Sequence, residues 1–464
     1  MKITRLVTSF LVLALIVVGL VLFFSRGGKQ RPVLAAESSV ERTSYNDVAP
    51  YLDSGGSLYL YLSTEQWLEG LSDKIAKWKG IFANLPMNPQ QQGDVDKTFD
   101  LVTHIVKDSG VEDVSGLGMS SIALDQDIYR TRLVLHHYKG KGSGFGWTMF
   151  GKAPHPLTGL DMAPATTALA VFSDFDQTEL WSVVQDELKH SGFPQAQQGL
   201  DQFTKQFKRS TGLDWDKVLG SLGGEYGIIL TLDDAKMVQL PLPTAEPLEI
   251  PEPGLLIVAK VNDDTLFNRL EQTMTQTRLQ VDRVNKDHLK MRTVELPIPS
   301  PITVRPSIAS ADGYLYIASN DQLIEDALAV KAGLKTGLKG TDDFKRVDGG
   351  MPTVGNRYAY VSKSFGQTYF KIWSTVMQMR AAQPGQMAFF KNFMNPDNAK
   401  FGLSVAATTD EGFVVVANGN QNGAVIAAAV PVAVVAVGTA MVLPAVAAAK
   451  ARAARINAAR RPQP

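Results

Sequence analysis

The chain has 464 residues, in which 46 Lys and Arg residues balance 46 Asp and Glu residues, and it has no cysteine. The missing cysteines exclude disulfides, thiolate nucleophiles, Cys-ligated zinc and iron–sulfur clusters. The zero net charge is a cancellation, because residues 41–423 hold 36 basic and 45 acidic residues, a net charge of −9, between two basic ends. This acidic body argues against nucleic acid as a partner.

The N-terminal end contains an uncharged run of 19 residues, 6–24, with basic residues on both sides. A helix of that length reaches about 29 Å, close to the hydrocarbon thickness of a bilayer. We therefore expect an uncleaved N-terminal signal anchor and basic linker over 1–40. A cleaved signal peptide is the alternative, because 33–35 and 34–36 are acceptable cleavage sites.

Between the two ends, a short apolar strand followed by a polar turn and an amphipathic helix recurs four times. Thr64, Asp176 and Asp264 stand at helix N-cap positions, and Asn320 or Asp321 caps a further helix. Turn-rich pairs of apolar runs predict hairpins. The strand–helix units are 57–71, 167–184, 254–272 and 356–376, and the hairpins are 116–138, 222–234, 302–320 and 401–419.

These elements predict an α+β fold of repeated strand–helix units and antiparallel hairpins with helices packed on one face, flanked by N- and C-terminal membrane segments. A Pro-rich stretch in the middle of the body indicates an interdomain linker or a long exposed crossover. The predicted organisation is a signal anchor in 1–40, a first repeat domain in 41–240, a linker in 241–253, a second repeat domain in 254–423, a membrane helix in 424–449 and a basic cytoplasmic tail in 450–464.

Three segments of the body carry a resemblance to a known family. Residues 211–230, TGLDWDKVLGSLGGEYGIIL, contain a Gly-Leu-Asp element followed by Gly-Glu and an apolar run, and 255–272 and 310–328 contain a strand–Asp–helix unit and a hairpin. They resemble a bacterial domain-of-unknown-function family (three-three-five-two), over roughly 200–345. The resemblance implies a membrane-anchored extracytoplasmic protein and supplies no catalytic or binding residues.

The C-terminal end is also apolar and then basic. Residues 424–449 are 26 uncharged residues rich in Ala and Val, and five basic residues follow in 450–464. Pro431 and Pro444 would each remove a helical hydrogen bond, so an Ala-rich tail is the alternative. The abrupt basic boundary favours a second membrane helix with its positive charges in the cytoplasm. The expected location is the inner (cytoplasmic) membrane, with 41–423 periplasmic or extracytoplasmic and both termini cytoplasmic.

The boundary segment 441–461, MVLPAVAAAKARAARINAARR, resembles the end of the N-terminal helix in bacterial prepilin-like proteins. The Gly-Phe-Thr-Leu-Ile-Glu processing motif of that family is absent, and the segment lies at the opposite end of the chain. The resemblance implies contact with a secretion or pilus-like assembly.

The histidines predict no metal site. His136 and His137 are adjacent on a predicted strand, so their rings point to opposite faces and do not readily chelate one ion. We interpret the histidines as solvated or core side chains; they are His104, His136, His137, His155, His190 and His288.

Two other patterns could bind ions but have simpler interpretations. The glycine-rich stretch 139–146 has backbone amides for a phosphate but lacks the order of a P-loop, which favours a flexible loop. Acidic doublets at turns and helix starts favour local capping over calcium binding or acid–base catalysis. The doublets are Asp125/Asp127, Asp233/Asp234, Asp263/Asp264 and Asp342/Asp343.

The sequence thus predicts no catalytic residue, no cofactor and no metal ligand, and it has no G-x-S-x-G nucleophile elbow. We expect a non-catalytic binding or scaffold protein of the cell envelope, with the membrane and an envelope protein as partners and no nucleic acid. One alternative is a carrier of a lipid or other apolar ligand. The other is an extracytoplasmic hydrolase with an unrecognised site.

Overall fold

An antiparallel β-sheet organises the chain in the computed structural model. The structure describes residues 43–82, 88–241, 247–276, 279–286, 288–295, 302–379 and 400–420. The strands are β1 Leu58–Ser63, β2 Val114–Ala123, β3 Tyr129–His137, β4 His155–Pro156, β5 Thr167–Asp174, β6 Leu222–Leu240, β7 Leu248–Val261, β8 Val281–Lys286, β9 Leu289–Val294, β10 Ser307–Ala311, β11 Tyr314–Ala318, β12 Val354–Gly355, β13 Arg357–Val361, β14 Gly402–Thr409 and β15 Gly412–Gly419.

Thirteen of these strands form one sheet in the order β1-β2-β3-β15-β14-β13-β5-β6-β7-β11-β10-β9-β8. Strands β4 and β12 pair separately as a short ribbon, with His155 opposite Gly355. The α+β class with a large antiparallel sheet is confirmed.

Local capping explains where several helices begin. Asp176 accepts hydrogen bonds from the amides of Thr178 and Glu179, and Asn320 accepts one from Leu323. The helices are α1 Tyr45–Val48, α2 Glu65–Leu68, α3 Leu71–Phe82, α4 Pro89–Ser109, α5 Phe145–Thr148, α6 Gln177–His190, α7 Pro194–Thr211, α8 Trp215–Ser221, α9 Thr265–Gln276, α10 Asp321–Lys331, α11 Asp342–Asp348 and α12 Lys363–Met379.

Two expected caps have other roles. Thr64 donates its hydroxyl to the carbonyl of Val114 at 2.8 Å. Asp264 forms an ion pair with Lys290 at 2.6 Å, which ties the start of α9 to β9. Both side chains bind residues of strands that are distant in sequence. The local sequence pattern therefore predicts a polar residue at the start of the helix but not the residue that it binds.

The predicted hairpin 222–234 is a single long strand, β6. It pairs with β5 on one side and β7 on the other, and the run Asp233-Asp234 lies at a register shift in place of a turn. Short acidic residues are typical of turns, and they also occur here at an irregularity within a strand. The sequence alone therefore does not distinguish a hairpin turn from a continuous strand at this position.

Helices pack on both faces of the sheet, and the prediction of one covered face is wrong. Ile324 of α10 lies in the core cluster with Tyr316, whereas Phe267 of α9 lies in a cluster with Ile308 and Leu315. Tyr316 and Leu315 are neighbours on β11, so their side chains point to opposite faces.

The prediction of flanking membrane segments is also corrected. Among the described residues, no helix has both the length and the apolar character needed to cross a bilayer. The two segments, 6–24 and 424–449, lie outside the described residues. The signal anchor, the transmembrane keyword and the inner-membrane location are therefore not supported.

Part of the Pro-rich segment 241–253 belongs to the sheet. Strand β7 begins at Leu248, inside this segment, and pairs with β6, with Leu240 opposite Leu248. Pro251 and Pro253 lie within β7, outside the stretch that pairs with β11, so their missing N–H groups interrupt no ladder with that strand. The division into 41–240 and 254–423 stays a prediction, and strands from both ranges share one sheet.

The centre of the core is closely packed around one aromatic ring. Phe172 on β5 stacks on Tyr358 of β13 with ring centroids 5.1 Å apart. Both side chains are almost fully buried. Gly159 and Gly227 lie against the Phe172 ring, and a Cβ atom at Gly227 would lie 2.2 Å from its carbons.

We expect Gly227→Ala to lower the free energy of unfolding by about 1–3 kcal/mol, because the added methyl group overpacks the core. Gly220→Ala is the control, since a Cβ atom there meets nothing within 4 Å and the residue lies in α8. The control should leave stability unchanged or raise it by about 0.5–1 kcal/mol. Urea unfolding of both variants measures this, and an unchanged midpoint for Gly227→Ala would contradict the described packing.

Candidate functional site

A buried carboxylate marks the polar cluster at the end of the central strands. Glu225 on β6 is 7% exposed. Its two oxygens accept hydrogen bonds from the hydroxyls of Thr158, at 2.8 Å, and Tyr314, at 2.9 Å. These bonds compensate for the loss of water around the charge. Burial and the nearby Glu225 charge raise the pKa of Tyr314 to about 12, so Tyr314 stays a neutral donor.

A second part of the cluster joins the β4–β12 ribbon to the main sheet. His155 on β4 contacts the Asp174 carboxylate of β5 through Nε2 at 2.9 Å. Asn356, just before β13, donates from Nδ2 to Asp174 at 2.9 Å and to the Ala153 carbonyl at 2.8 Å. The amide of Thr408 on β14 donates to Asn356 Oδ1 at 2.8 Å. Four segments of the chain therefore meet at Asp174 and Asn356.

Arg357 borders the same cluster. Its Nε donates to Ser173 Oγ at 3.2 Å, and its guanidinium lies 5.7 Å from the ring centre of Phe150. Burial lowers the pKa of Arg357 to about 10, so it remains a cation at neutral pH. The space enclosed with His155 and Glu225 is about 10 Å³, roughly enough for one water molecule.

Both nitrogens of the His155 ring face hydrogen-bond acceptors, which favours the protonated ring. Nε2 faces the Asp174 carboxylate and Nδ1 faces the Pro156 carbonyl at 2.9 Å, and both partners only accept hydrogen bonds. Burial lowers the pKa of His155, but the hydrogen bonds to Asp174 and Pro156 outweigh it and the pKa lies above its ordinary value. A general base needs a free lone pair, so this arrangement of His155 favours a structural contact between strands over a role as a base.

The other sequence-predicted candidates serve local structure. In the glycine-rich loop 139–146, the Gly142 amide donates to the Asp113 carboxylate at 3.1 Å, so an acidic side chain occupies that donor. Asp233 accepts from the amide of Ala235, and Asp263 accepts from that of Thr265, which is local capping.

The structure places two of the histidines on facing helices. His104 lies on α4 and His190 on α6, and their rings stack with centroids 5.5 Å apart. One ligand atom each of His104, Asp108 and Glu187 lie within 4.8 Å of one another. Burial, and then the charge of Asp108, raise the pKa of Glu187.

The sequence contains two residue spacings in this group that are compatible with metal binding and that the sequence analysis did not use. Glu187 and His190 are three residues apart, a Glu-x-x-His pair that lies on one side of a helix. His104 and Asp108 are four residues apart and also share a helix side. Both spacings are visible in the sequence, but their proximity depends on how α4 packs against α6.

Aliphatic side chains cross the face of the central strands opposite Glu225. Three of them are exposed although they lie in the middle of the sheet: Ile228 by 48%, Leu255 by 41% and Ile257 by 38%. We call the two cross-strand rows that contain them the open ladder; they are Val171, Ile228, Ile257 and Ile317 in one row and Leu169, Leu230 and Leu255 in the other.

An open groove of about 320 Å³ lies near the tip of the β10–β11 hairpin. Its charged side chains pair with each other, since Lys331 contacts Asp312 at 3.2 Å. Lys331 also lies 4.9 Å from the ring centre of Tyr314. The groove is lined by both polar and apolar side chains, and the ammonium group of Lys331 is already paired with Asp312 and Tyr314.

Residues 153–395 match the model of a family described as "Protein of unknown function (DUF3352)". The chain belongs to the DUF3352 family. The match runs from just before β4 to beyond α12, so it includes the open ladder and the polar cluster apart from Thr408, while His104 and Asp108 precede it. Comparison with curated proteins and with solved structures gives no match for this DUF3352 chain. The family resemblance is thus confirmed, and membrane anchoring and the prepilin resemblance are not shown.

The His155–Asp174 contact should make stability depend on pH. A raised pKa in the folded state means that the stabilisation is complete below the unfolded value of about 6.5 and is lost as pH rises through the folded pKa. We expect the stability difference between wild type and His155→Gln to be largest near about pH 5.5 and to shrink toward about pH 9. Urea unfolding across this range measures it, with His288→Gln as the control, and a difference that grows with pH would contradict the assignment.

Removal of the hydroxyl group should change the free energy of unfolding by different amounts at two tyrosines of the core. Tyr314→Phe removes a donor to buried Glu225 and should lower the free energy of unfolding by about 1–3 kcal/mol. Tyr358→Phe should have little effect or stabilise, because the Tyr358 hydroxyl is buried without a hydrogen-bond partner in the described residues. Thermal unfolding of the two variants compares them directly. Equal losses would show that Glu225 does not depend on Tyr314.

Proposed function

We propose that this DUF3352 protein is a non-catalytic binding protein, and that its open ladder holds an amphipathic helix of a protein partner. The observation that carries the proposal is the exposure of Ile228, Leu255 and Ile257 in central strands. Exposed apolar surface of this kind in the middle of a sheet is typical of a binding surface.

The neighbouring helix indicates what fits there. Helix α9 already covers the continuation of the same face, where Phe267 packs with Ile308 and Leu315, and Ile317 packs against that cluster. Ile317 is the direct cross-strand partner of Ile257. One row of side chains is therefore covered by an amphipathic helix at one end and exposed in its middle.

The spacing of the sheet suits a second helix beside α9. Packed helices lie about 8–10 Å apart, and two strand spacings are about 9.6 Å. Helix α9 lies over β10 and β11, so a helix alongside it would lie over β6 and β7. Those strands carry Ile228, Leu255 and Ile257, which form the contact surface for a helix with apolar residues at i, i+3, i+4 and i+7.

Catalysis receives less support from the polar cluster. Both nitrogens of His155 face hydrogen-bond acceptors, and each oxygen of Glu225 accepts a hydrogen bond, from Thr158 and from Tyr314. A carrier for an apolar small molecule would use the same open ladder, and the experiment below distinguishes it.

The chain has no cysteine, so a single cysteine introduced at the ladder can carry a fluorescent reporter. We expect an environment-sensitive dye on Ile257→Cys to shift to shorter wavelength when an 18-residue amphipathic helical peptide of Leu, Lys and Glu is added. The same dye on Leu334→Cys, at a side chain that is 80% exposed elsewhere, should not respond.

Loss of apolar area should weaken this binding. With Ile228→Thr and Ile257→Thr combined, we expect about 100-fold lower peptide affinity, since four apolar carbon groups are removed and about 0.8 kcal/mol is lost for each one that the peptide buries. Ile81→Thr with Leu334→Thr is the matched control at two exposed sites outside the ladder. Equal affinity of all three proteins would contradict the proposed surface. A response to a fatty acid with none to the peptide would favour the carrier.

A further inference from the structure

A cluster of two imidazoles and two carboxylates lies between helices α4 and α6. His104 and Asp108 come from α4, and Glu187 and His190 come from α6. The ligand atoms of His104, Asp108 and Glu187 lie within 4.8 Å of one another. These residues lie apart from the open ladder, so an inference from them is independent of the proposed function.

Glu187 is a buried carboxylate with one oxygen, Oε2, that has no hydrogen-bond partner among the described residues. Its side chain is 8% exposed. The carboxyl group of Asp108 lies beside Glu187 and forms a side-chain hydrogen bond with it. A buried oxygen without a donor costs free energy, and two adjacent carboxylates repel each other. A bound cation between them would remove both costs.

His104 supplies the imidazole of this group. The ring of His190 stacks parallel to that of His104, with centroids 5.5 Å apart and an interplanar angle of 9°. A metal ion lies in the plane of an imidazole that binds it, because the nitrogen lone pair lies in that plane, so two parallel stacked rings do not bind the same ion. His190 donates from Nδ1 to the Asp186 carbonyl at 2.8 Å and packs against the His104 ring.

We propose that His104, Asp108 and Glu187 bind one divalent transition-metal ion of the Zn²⁺ class, with water as the fourth ligand. One imidazole nitrogen and two carboxylate oxygens suit Zn²⁺, which binds such ligands at about 2.0–2.2 Å and often keeps a water in the fourth position. Ligands at that distance are about 3.4 Å apart in a tetrahedron, so the side chains close by about 1 Å on the ion. Hard cations such as Mg²⁺ prefer oxygen ligands, which makes the imidazole unfavourable for them.

The ion would fix α4 to α6. Helix α6 follows the central strand β5 and lies within the family match, whereas α4 precedes that match. The metal would therefore hold α4 onto the part of the chain that matches the family model, through side chains from α4 and α6. Metal binding to the folded state alone raises thermal stability, which gives a readout that needs no activity.

The test uses the full chain after removal of metal with a chelator. Titration calorimetry with ZnCl₂ alone should show one equivalent bound, and the thermal midpoint should rise with added Zn²⁺. Glu187→Gln and His104→Gln should each lower the affinity by at least about 100-fold, since loss of even an outer-shell partner costs 10–100-fold. Asp186→Asn, on the adjacent residue of α6, is the matched control and should bind as wild type does.

A spectroscopic measurement guards against adventitious binding at surface histidines. Co²⁺ in place of Zn²⁺ should give the visible absorption of a tetrahedral site in wild type and Asp186→Asn and lose it in Glu187→Gln. Glu187→Gln removes a buried charge, so we expect it to fold, and circular dichroism checks this. Absence of stoichiometric Zn²⁺ binding, or binding that survives Glu187→Gln and His104→Gln unchanged, would overturn the proposal.

Discussion

The pairing of β13 with β5 is the contact on which the rest of the sheet depends. In the described sheet, the block β1-β2-β3-β15-β14-β13 is hydrogen-bonded to the block β5-β6-β7-β11-β10-β9-β8 through this pair of strands. Its register places Tyr358 opposite Phe172, and their rings stack at the centre of the core. Asn356, one residue before β13, then meets Asp174 at the end of β5. The polar cluster thus forms at the junction that joins the two blocks.

The two faces of the central strands differ because of what covers them. On one face, Ile229, Leu256 and Tyr316 are closed under helices and loops in a single large core cluster. On the other face, α9 covers β10 and β11, and the ladder residues of β6 and β7 remain exposed. A strand with one buried and one exposed apolar face needs apolar residues at successive positions. Ile228 and Ile229 of β6 are such a pair, since Ile228 is exposed and Ile229 is buried. The exposed apolar row is therefore a specified feature of the sequence and supports a binding role.

Local elements could be predicted from the sequence, and long-range pairing could not. The strand–helix units could be predicted because strands with alternating apolar residues lead into helices that begin with a capping residue, such as Asp176 or Asn320. The β10–β11 turn appears because Asp312 and Gly313 both adopt positive φ, which these residue types tolerate. Strand order depends on contacts between residues far apart, so Asn356 beside Asp174 has no local signal. For the same reason, the spacings within α4 and α6 did not reveal that the two helices bring His104 to Glu187.

The two buried glutamates of the described chain have different partners. Glu225 has a hydroxyl donor on each oxygen, from Thr158 and Tyr314, and these bonds support a buried carboxylate. Glu187 is equally buried, but its Oε2 has no hydrogen-bond partner among the described residues, and Asp108 and His104 lie beside it. This difference in partners is the reason for the proposal that Glu187 helps to bind a cation, whereas Glu225 is held by hydroxyl groups of the protein.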